Sequence, residues 1–583
     1  MASQTVKDAI ERQGQLEEIR RPWEEIWDDV TYHVVPMRAP FRTPVGSEKR
    51  RMSKIYDGTA VTALHLFADG MTGYLMSPSL RWFRLRMQIP IRLDRFPPQV
   101  RAFMRSLAQY EQLEDVPEIK SWLQECEYIL ADAMQRSNFY SAMPLCFEDA
   151  GSVGTATLYA EEDLAAGRPV YIPVHPREIF IAENYFGDVD TVHRKFKIEA
   201  RRLVERFGKR AVSAQTARMA ERTPYAKVDV LHAVYPRRLR DVNSPLAKNK
   251  RYASLWIELG QPHLVHEGGY DLPPYSAWRY KKSSDEVYGW SPAIYSLAET
   301  LGINQVSKTL LKAAHLSVDP AYMVPSELEG KVKIYPRGFN YYKDPDRGIT
   351  PIQTQLSFPV GENREQKMRE AIEQHFHVDF FLMLQRAPRQ LTATEVIERA
   401  GEKAAMLTTT LGRHNYELMD PKMNWLFQTE LAAGRLPPPP EILLAAGGGL
   451  INVVYMGPLS QAQRRLFQTQ GLFLGLEQLQ PVAALNQDVL DIVDFDAVTR
   501  EILDANGFPQ KAVRSPEVVM QVRQMREQMR QQIAIREDMA QGVESVKSLA
   551  EADQLSGGRI GQAVAGLLQQ SGISQEDLVR RAA

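Results

Sequence analysis

Residues 291–317 read SPAIYSLAETLGINQVSKTLLKAAHLS. Serine at a cap position followed by proline is a strong helix start, because the hydroxyl accepts a free backbone N–H and proline's φ suits the first turn. The stripe Ile294, Leu297, Ala298, Leu301, Val306 and Leu310 carries this helix to about Ser317. Residues 318–360 then turn strand-rich and proline-punctuated, with AYMVP, KVKIYPRGFNYY and GITPIQTQLSFP. A second helix is predicted from about Glu362 to Leu384, with Met368, Ile372, Phe376 and Phe380 four residues apart. Its end, VDFFLML, is apolar all round and is expected to be buried in protein.

Downstream, after the loop QRAPRQL, the run TATEVIERAGEK opens a third helix, with Thr392 and Glu395 at capping-box spacing. Helical character persists to about Ala433, with a kink predicted at Asp420-Pro421, where the ring clashes and an N–H is missing. Gly434 and the prolines at 437–440 end it, LINVVYM at 450–456 reads as a strand, and helix resumes from about Ser460. The tail after Ser515 carries a stripe at Val518, Val522, Met525, Met529 and Ile533, whose default reading is core, and Gly557-Gly558 interrupt it.

Upstream, the first 35 residues form an amphipathic helix with Trp23, Ile26, Trp27 and Val30 on one stripe, followed by a loop from Pro36 to Ser47. Residues 56–87, YDGTAVTALHLFADGMTGYLMSPSLRWFRLRM, begin with a helix that Asp57 is placed to cap. Its buried face is Val61, Leu64, Phe67, Ala68, Met71 and Leu75. The following RWFRLRM alternates Arg84 and Arg86 with Phe83, Leu85 and Met87, the pattern of a half-buried strand. Residues 118–139 are helical, and TATLYA, PVYIPV, EIFIAE, 226–236 and 252–266 are strand-like. There is no regular βα alternation and no repeat, so the fold class is α+β.

The chain has 583 residues, enough for about three to five structural units. Apolar residues are 44% and charged residues 25%, an ordinary globular balance. Lysine plus arginine number 71 against 72 aspartate plus glutamate, a net charge of −1. Tight nucleic-acid binders usually carry a basic excess, so any such contact is expected to be local or weak. Cys126 and Cys146, the two cysteines, form no CxxC pair, which suits a reducing compartment. MASQTVKDAIERQ lacks an apolar signal core. The apolar stretch at 61–76 is interrupted by His65 and Asp69, short of the roughly 20 residues a membrane span needs.

Enzyme signatures are sparse. No GxxxxGKS or GxxxxGKT loop, GxSxG elbow or HExxH motif occurs, and GSVGTA (151–156) and GGG (447–449) lack phosphate-loop spacing. His375-Phe376-His377-Val378-Asp379 would put two imidazoles and a carboxylate on one strand face, a possible metal site. The helix formers before it, NREQKMREAIEQ, favour a helix, on which the two histidines diverge by about 200°. Arg386 and Arg389 lie on a loop between long helices and read equally as phosphate contacts or as solvated arginines.

The order helix, strand insert, helix, loop, kinked helix between 291 and 434 resembles the core of bacteriophage portal proteins. More specifically, the chain resembles the head-to-tail connecting family of T7-like and related short-tailed phages. Three segments carry this: residues 56–85, EVYGWSPAIYSLAETLGINQVSKTLLKAAHLSVDPAYMV (286–324) and QLTATEVIERAGEKAAML (390–407). The resemblance spans roughly residues 1–510. It implies a helix-rich α+β portal fold: wing 1–290, stem helices 291–317 and 361–385, small α/β clip 318–360, tunnel loop 386–392, wing again 393–500, and crown with tail 501–583. It implies no catalysis and no cofactor. The function implied is a ring, usually of twelve identical subunits, at one capsid vertex of the virion, assembled in the host cytoplasm, through which double-stranded DNA is packaged and ejected. Gln385, Arg386, Arg389 and Gln390 would then face the channel, and Pro421 would kink the long wing helix. Lys331, Lys333, Tyr335, Arg337, Tyr341, Tyr342, Lys343 and Arg347 would form the clip surface for the terminase large subunit and then the tail adaptor. Major capsid and scaffolding proteins are the other implied partners, and no membrane. Two other readings are a metal-dependent DNA-processing enzyme built on the HxHxD run and a scaffold or adaptor pairing through its Met/Gln-rich tail.

Overall fold

The computed structural model describes residues 2–38, 55–79, 81–87, 116–242, 244–318, 320–324, 349–351, 358–382, 407–441, 451–457, 492–505 and 518–533, with a few isolated positions between. Two compact units divide the chain, Met1–Asn506 and Gly507–Ala583.

In the first unit, α1 (Ala2–His33) buries Trp23, Trp27 and Val30, as its stripe predicts. Arg20 on α1 is itself buried, donating to the carbonyls of Arg177 (2.8 Å) and Ile179 (2.9 Å) and pairing with Glu24 at 2.7 Å. Helix α2 (Thr59–Met76) buries Leu64, Phe67, Ala68, Met71 and Leu75, while Val61 is only half-buried. It packs on α4 (Phe139–Val153), which follows α3 (Pro117–Arg136). Strand β1 (Phe83–Arg86) pairs antiparallel with β12 (Asn452–Tyr455), Phe83 opposite Tyr455. Phe83, Leu85 and Met87 face inward as the alternation requires, and Trp82 stacks on Phe139 and Tyr455.

Two larger antiparallel sheets form the body. One has the order β3 (Arg168–Val174), β2 (Thr155–Asp163), β9 (Tyr275–Arg279). The other is a meander of β4 (Ile179–Glu183), β5 (Val189–Glu199), β6 (Lys227–Pro236), β7 (Tyr252–Glu258) and β8 (His263–Tyr270). The predicted strand run 252–266 is therefore a hairpin of two strands. Both faces of the meander are covered: Val6 and Ala9 of α1 lie against Leu231, Ala233, Leu255 and Ile257. Helices α5 (Ala200–Phe207) and α6 (Ala214–Arg222) cover Val230, Trp256 and Val265 on the other. Double coverage explains why β6 and β7 are buried almost continuously.

The helix opened by Ser291 starts as predicted, the Ser291 hydroxyl accepting from Ile294 N–H at 3.0 Å. It is split at Ser296 into α7 (Pro292–Tyr295) and α8 (Leu297–Val318). The predicted stripe needs correction: Ile294, Thr300, Ile303 and Ala313 are buried, whereas Ala298 and Leu301 are exposed. The buried face follows the partner helix α9 (Phe358–His375), where Gly302 admits the Met368 side chain against the α8 backbone. Short strands β10 (Tyr322–Met323) and β11 (Thr350–Pro351) pair antiparallel beyond the two helices.

The second predicted helix also needs correction. It ends at His375, and His377 takes a left-handed conformation (φ 56°) before α10 (Val378–Phe381). Its apolar residues are nevertheless buried as expected, Ile372, Phe376, Val378 and Phe380 all lying in the main core.

The third helix is described from Thr408. It runs as α11 (Thr408–His414), a π turn over Asn415–Met419, and α12 (Asp420–Ala432). Gly434 (φ 67°) ends it, with Arg435 N–H donating back to Glu430 O at 3.0 Å and Gly434 N–H to Leu431 O at 3.0 Å. A further helix, α13, spans Phe495–Ala505. In the second unit residues 518–533 are helical, and the tail stripe expected to be core is exposed, Val518, Met525, Met529 and Ile533 among its residues.

Candidate functional site

Helices α8 and α9 pack on each other and are tied to the start of the 56–87 stretch. Tyr56 N–H donates to Asn304 Oδ1 on α8 at 2.7 Å, and Lys308 of α8 lies over the Tyr56 ring at 5.6 Å. Asp57 pairs with Arg369 on α9 at 3.0 Å, and Arg369 also meets Glu365, which accepts from Ser307 on α8. Asp57 does not cap α2 across the first turn as expected. Gly58 takes the cap position without a side-chain bond, and Asp57 Oδ1 accepts from Thr59 N–H, at 2.9 Å. Its other oxygen holds the helix pair instead.

Just beyond this clamp, α10 is wedged against α2. Phe67 meets Phe376 and Phe381 edge-on at 6.4 and 6.1 Å, and Tyr74 contacts Phe380 at 5.2 Å. Gly70 leaves the space that the Phe381 ring fills, since a Cβ there would lie 2.2 Å from it. The turn through His377 is what swings Phe380 and Phe381 into this contact.

The same turn disposes of the HxHxD run as a metal centre. His377 sits in the turn, its Nε2 3.3 Å from the Tyr280 hydroxyl, while His375 and Asp379 are exposed on separate elements. Burial, then Lys281 and His375, lower the His377 imidazole to about 4. Among the described residues no three His, Cys, Asp or Glu side chains come together as a metal site. The glycine run 151–156 ends a helix rather than starting one. Gly154 (φ 81°) is pressed against Gly289, so close that a Cβ on either would meet the other's carbonyl oxygen. A helix C-terminus presents carbonyls, which repel phosphate. Both thiols are buried, and burial pushes Cys126 and Cys146 up to about 12, which removes them as nucleophiles.

The long helix is fixed on the body through its π turn. Glu417 lies inside that turn and accepts from the buried Arg279 guanidinium at 2.7 Å and from Arg279 N–H at 2.8 Å. Arg279 also pairs with Glu183 at the end of β4 and donates to Gly187 O at 3.1 Å. Arg413 pairs with Glu417, Lys282 with Glu183 at 2.7 Å, and Tyr416 donates to Asp188 at 2.9 Å. An open cleft of about 270 Å³ is lined by Phe186, Asp188, Lys282, Arg413, Tyr416 and Glu417. Arg279, Lys282 and Arg413 are matched by Glu183, Asp188 and Glu417, so the cleft offers net charge to neither an anion nor a cation. Its role is to lock helix to sheet. Pro421 follows the π turn at the start of α12, where the missing N–H falls in a ladder the wide turn has already interrupted.

A sequence profile described as bacteriophage head to tail connecting protein matches residues 6–513. The chain belongs to this family. Two relatives align with it almost end to end. A probable portal protein of Bordetella phage BPP-1 is 28% identical over 569 residues, 95% of this chain and 97% of the relative. A portal protein of Salmonella phage epsilon15 is 27% identical over 577 residues, 94% and 96% respectively. Among solved structures, a chain from the neck of an empty GTA particle, computed with C6 symmetry, overlaps 78% of this chain and 95% of its own length. It is 12% identical at a TM-score of 0.32, a likeness that carries no argument.

For this member of the head-to-tail connecting family, Gln385, Arg386, Arg389 and Gln390 lie outside the described residues. So do Lys331, Lys333, Tyr335, Arg337, Tyr341, Tyr342, Lys343 and Arg347. Among the described residues no helix is long and apolar enough to cross a membrane. Sequence reasoning missed Tyr56-Asp57 as the clamp and Arg279 as the hub. The one signal for either was Asp57 itself, read as a cap because capping is the commoner use of aspartate before a helix.

Proposed function

We propose that the chain is a portal subunit: a ring-forming, non-enzymatic protein at one capsid vertex through which double-stranded DNA enters and leaves. The observation that carries this is the end-to-end similarity to two phage portal proteins. In this reading α8 and α9 belong to the stem, 318–360 is the clip that meets the terminase large subunit and later the tail adaptor, and 386–392 is the tunnel loop. Residues 1–290 and 393–500 form the wing, and 501–583 the crown, with capsid and scaffolding proteins outside the ring.

Physical chemistry supports the role. A conduit must let DNA slide, and many simultaneous phosphate contacts would act as a brake, so a chain of net charge −1 suits it better than a basic one. A closed ring needs head-to-tail interfaces, and Leu301, Leu311 and Leu316 of α8 are exposed in the single subunit, where a neighbouring subunit would cover them. Imaging the purified protein down its symmetry axis tests the reading: closed rings of about twelve subunits are expected. A monomer with metal-dependent nuclease activity would overturn it. Deleting Ala387 to Arg389 should leave rings assembled but impair DNA packaging or retention; lost ring assembly would show that the loop serves the subunit interface instead.

A further inference from the structure

The connection between β6 and β7 departs from the charge balance of the whole chain. Residues 237–251 hold Arg237, Arg238, Arg240, Lys248, Lys250 and Arg251 against one acid, Asp241. Spread evenly, 71 basic residues in 583 would place about two there.

This loop is built rather than loose. Its root is closed by Arg237 N–H donating to Arg251 O at 2.9 Å. Arg237 pairs with Glu267 at 3.1 Å and donates to Gly268 O at 3.0 Å, and Lys250 pairs with Asp271 at 2.9 Å. A 3₁₀ turn at Ala247–Asn249 folds back onto β8, where Gly269 accommodates the Ala247 carbonyl; a Cβ on Gly269 would lie 2.2 Å from that oxygen. Two cations therefore anchor the root. Arg238, Arg240 and Lys248 are left exposed along the loop beside one exposed acid, Asp241, and none of the three cations is paired to a carboxylate among the described residues.

We propose that this loop is a contact for the phosphate backbone of double-stranded DNA, separate from the tunnel loop. Three exposed cations on a frame held by its own hydrogen bonds and ion pairs offer positive charge to phosphates, and fixing the frame beforehand lowers the ordering cost of binding. Leu239, Val242 and Leu246 are exposed on the same loop, so a protein partner is the competing occupant that the acidic-polymer arm of the test below separates from DNA. The inference rests on the portal reading for the presence of DNA beside the subunit.

The test uses the full-length protein and a short fluorescent duplex, with anisotropy followed across a salt series. The variant R238A/R240A/K248A should bind about 10- to 100-fold more weakly at low salt, with a log–log salt slope shallower by up to about 2.7. Gly269→Ala keeps every charge but displaces the turn, and should also weaken binding, which diffuse charge alone would not produce. Unchanged affinity and slope in the triple variant would overturn the proposal. So would polyglutamate binding as tightly as the duplex and being lost in the same variant, because the loop would then serve an acidic protein. Ring imaging of the same samples separates the two readings: intact rings with an unchanged duplex slope sink only the loop, whereas absent rings sink the portal assignment.

Discussion

At the scale of single residues, stability hangs on positions where nothing larger or more polar fits. Gly154 combines a left-handed backbone with a carbonyl 2.1 Å from where a Cβ would stand. Gly154→Ala should destabilise the chain by about 2–4 kcal/mol in urea unfolding, from backbone strain and overpacking together. Lys422 is buried with the Pro274 carbonyl as its hydrogen-bond partner, and burial lowers its ammonium to about 7. The unfolded chain therefore holds more protons than the folded one between about 7 and 10.5, so stability rises with pH across that window. Lys422→Met should gain about 1–3 kcal/mol near pH 6.5 and flatten that rise in denaturation measured at pH 6.5 and 9. A variant less stable than the parent at both values would show that the ammonium is better solvated than its burial implies.

At the scale of elements, the decisive contacts join segments far apart in sequence. Asp57 reaches Arg369 across 312 positions, and Tyr56 reaches Asn304 across 248. Asp57→Ala should cost only about 1 kcal/mol, since Arg369 is partly exposed and can turn to water. Its clearer effect should be faster hydrogen exchange at the clamped parts of α8 and α9. Unchanged exchange there would mean that the aromatic wedge of Phe67, Tyr74, Phe380 and Phe381 holds the pair without the clamp. The tail helix behaves oppositely: M525K/M529K alters exposed positions and should leave thermal unfolding of the body within about 0.5 kcal/mol of the parent.

At the scale of the whole molecule, buried imidazoles make the body acid-sensitive. Burial holds His193 at about 3 and His175 and His414 at about 4, all below the ordinary 6.5. These groups stay neutral in the fold and take up protons on unfolding, so the stability they contribute is complete above pH 6.5 and is lost as pH falls toward 4. Thermal melts should show Tm falling between pH 7 and 5 by more than one histidine explains; a flat Tm over that range would mean the rings reach water. The chain is nearly neutral because its many charges balance, and the most deeply buried of them are held in pairs, around Arg279 above all.

What the sequence determined by itself is the set of signals with a local period or a local stop. The alternation at 83–87, the Ser291 cap and the Gly434 terminator all appear where they were read, because each depends on neighbours within a few residues. The long motifs likewise mark the family, since agreement over hundreds of positions does not depend on geometry. The tertiary structure alone decided which face of α8 is buried, where α9 ends, and what Asp57 holds. Helix formers favoured continuity through His377, but the gain from seating Phe380 and Phe381 against α2 outweighs one strained residue. Those choices are made by contacts between residues from about sixty to more than three hundred positions apart, beyond the few residues that set a local signal.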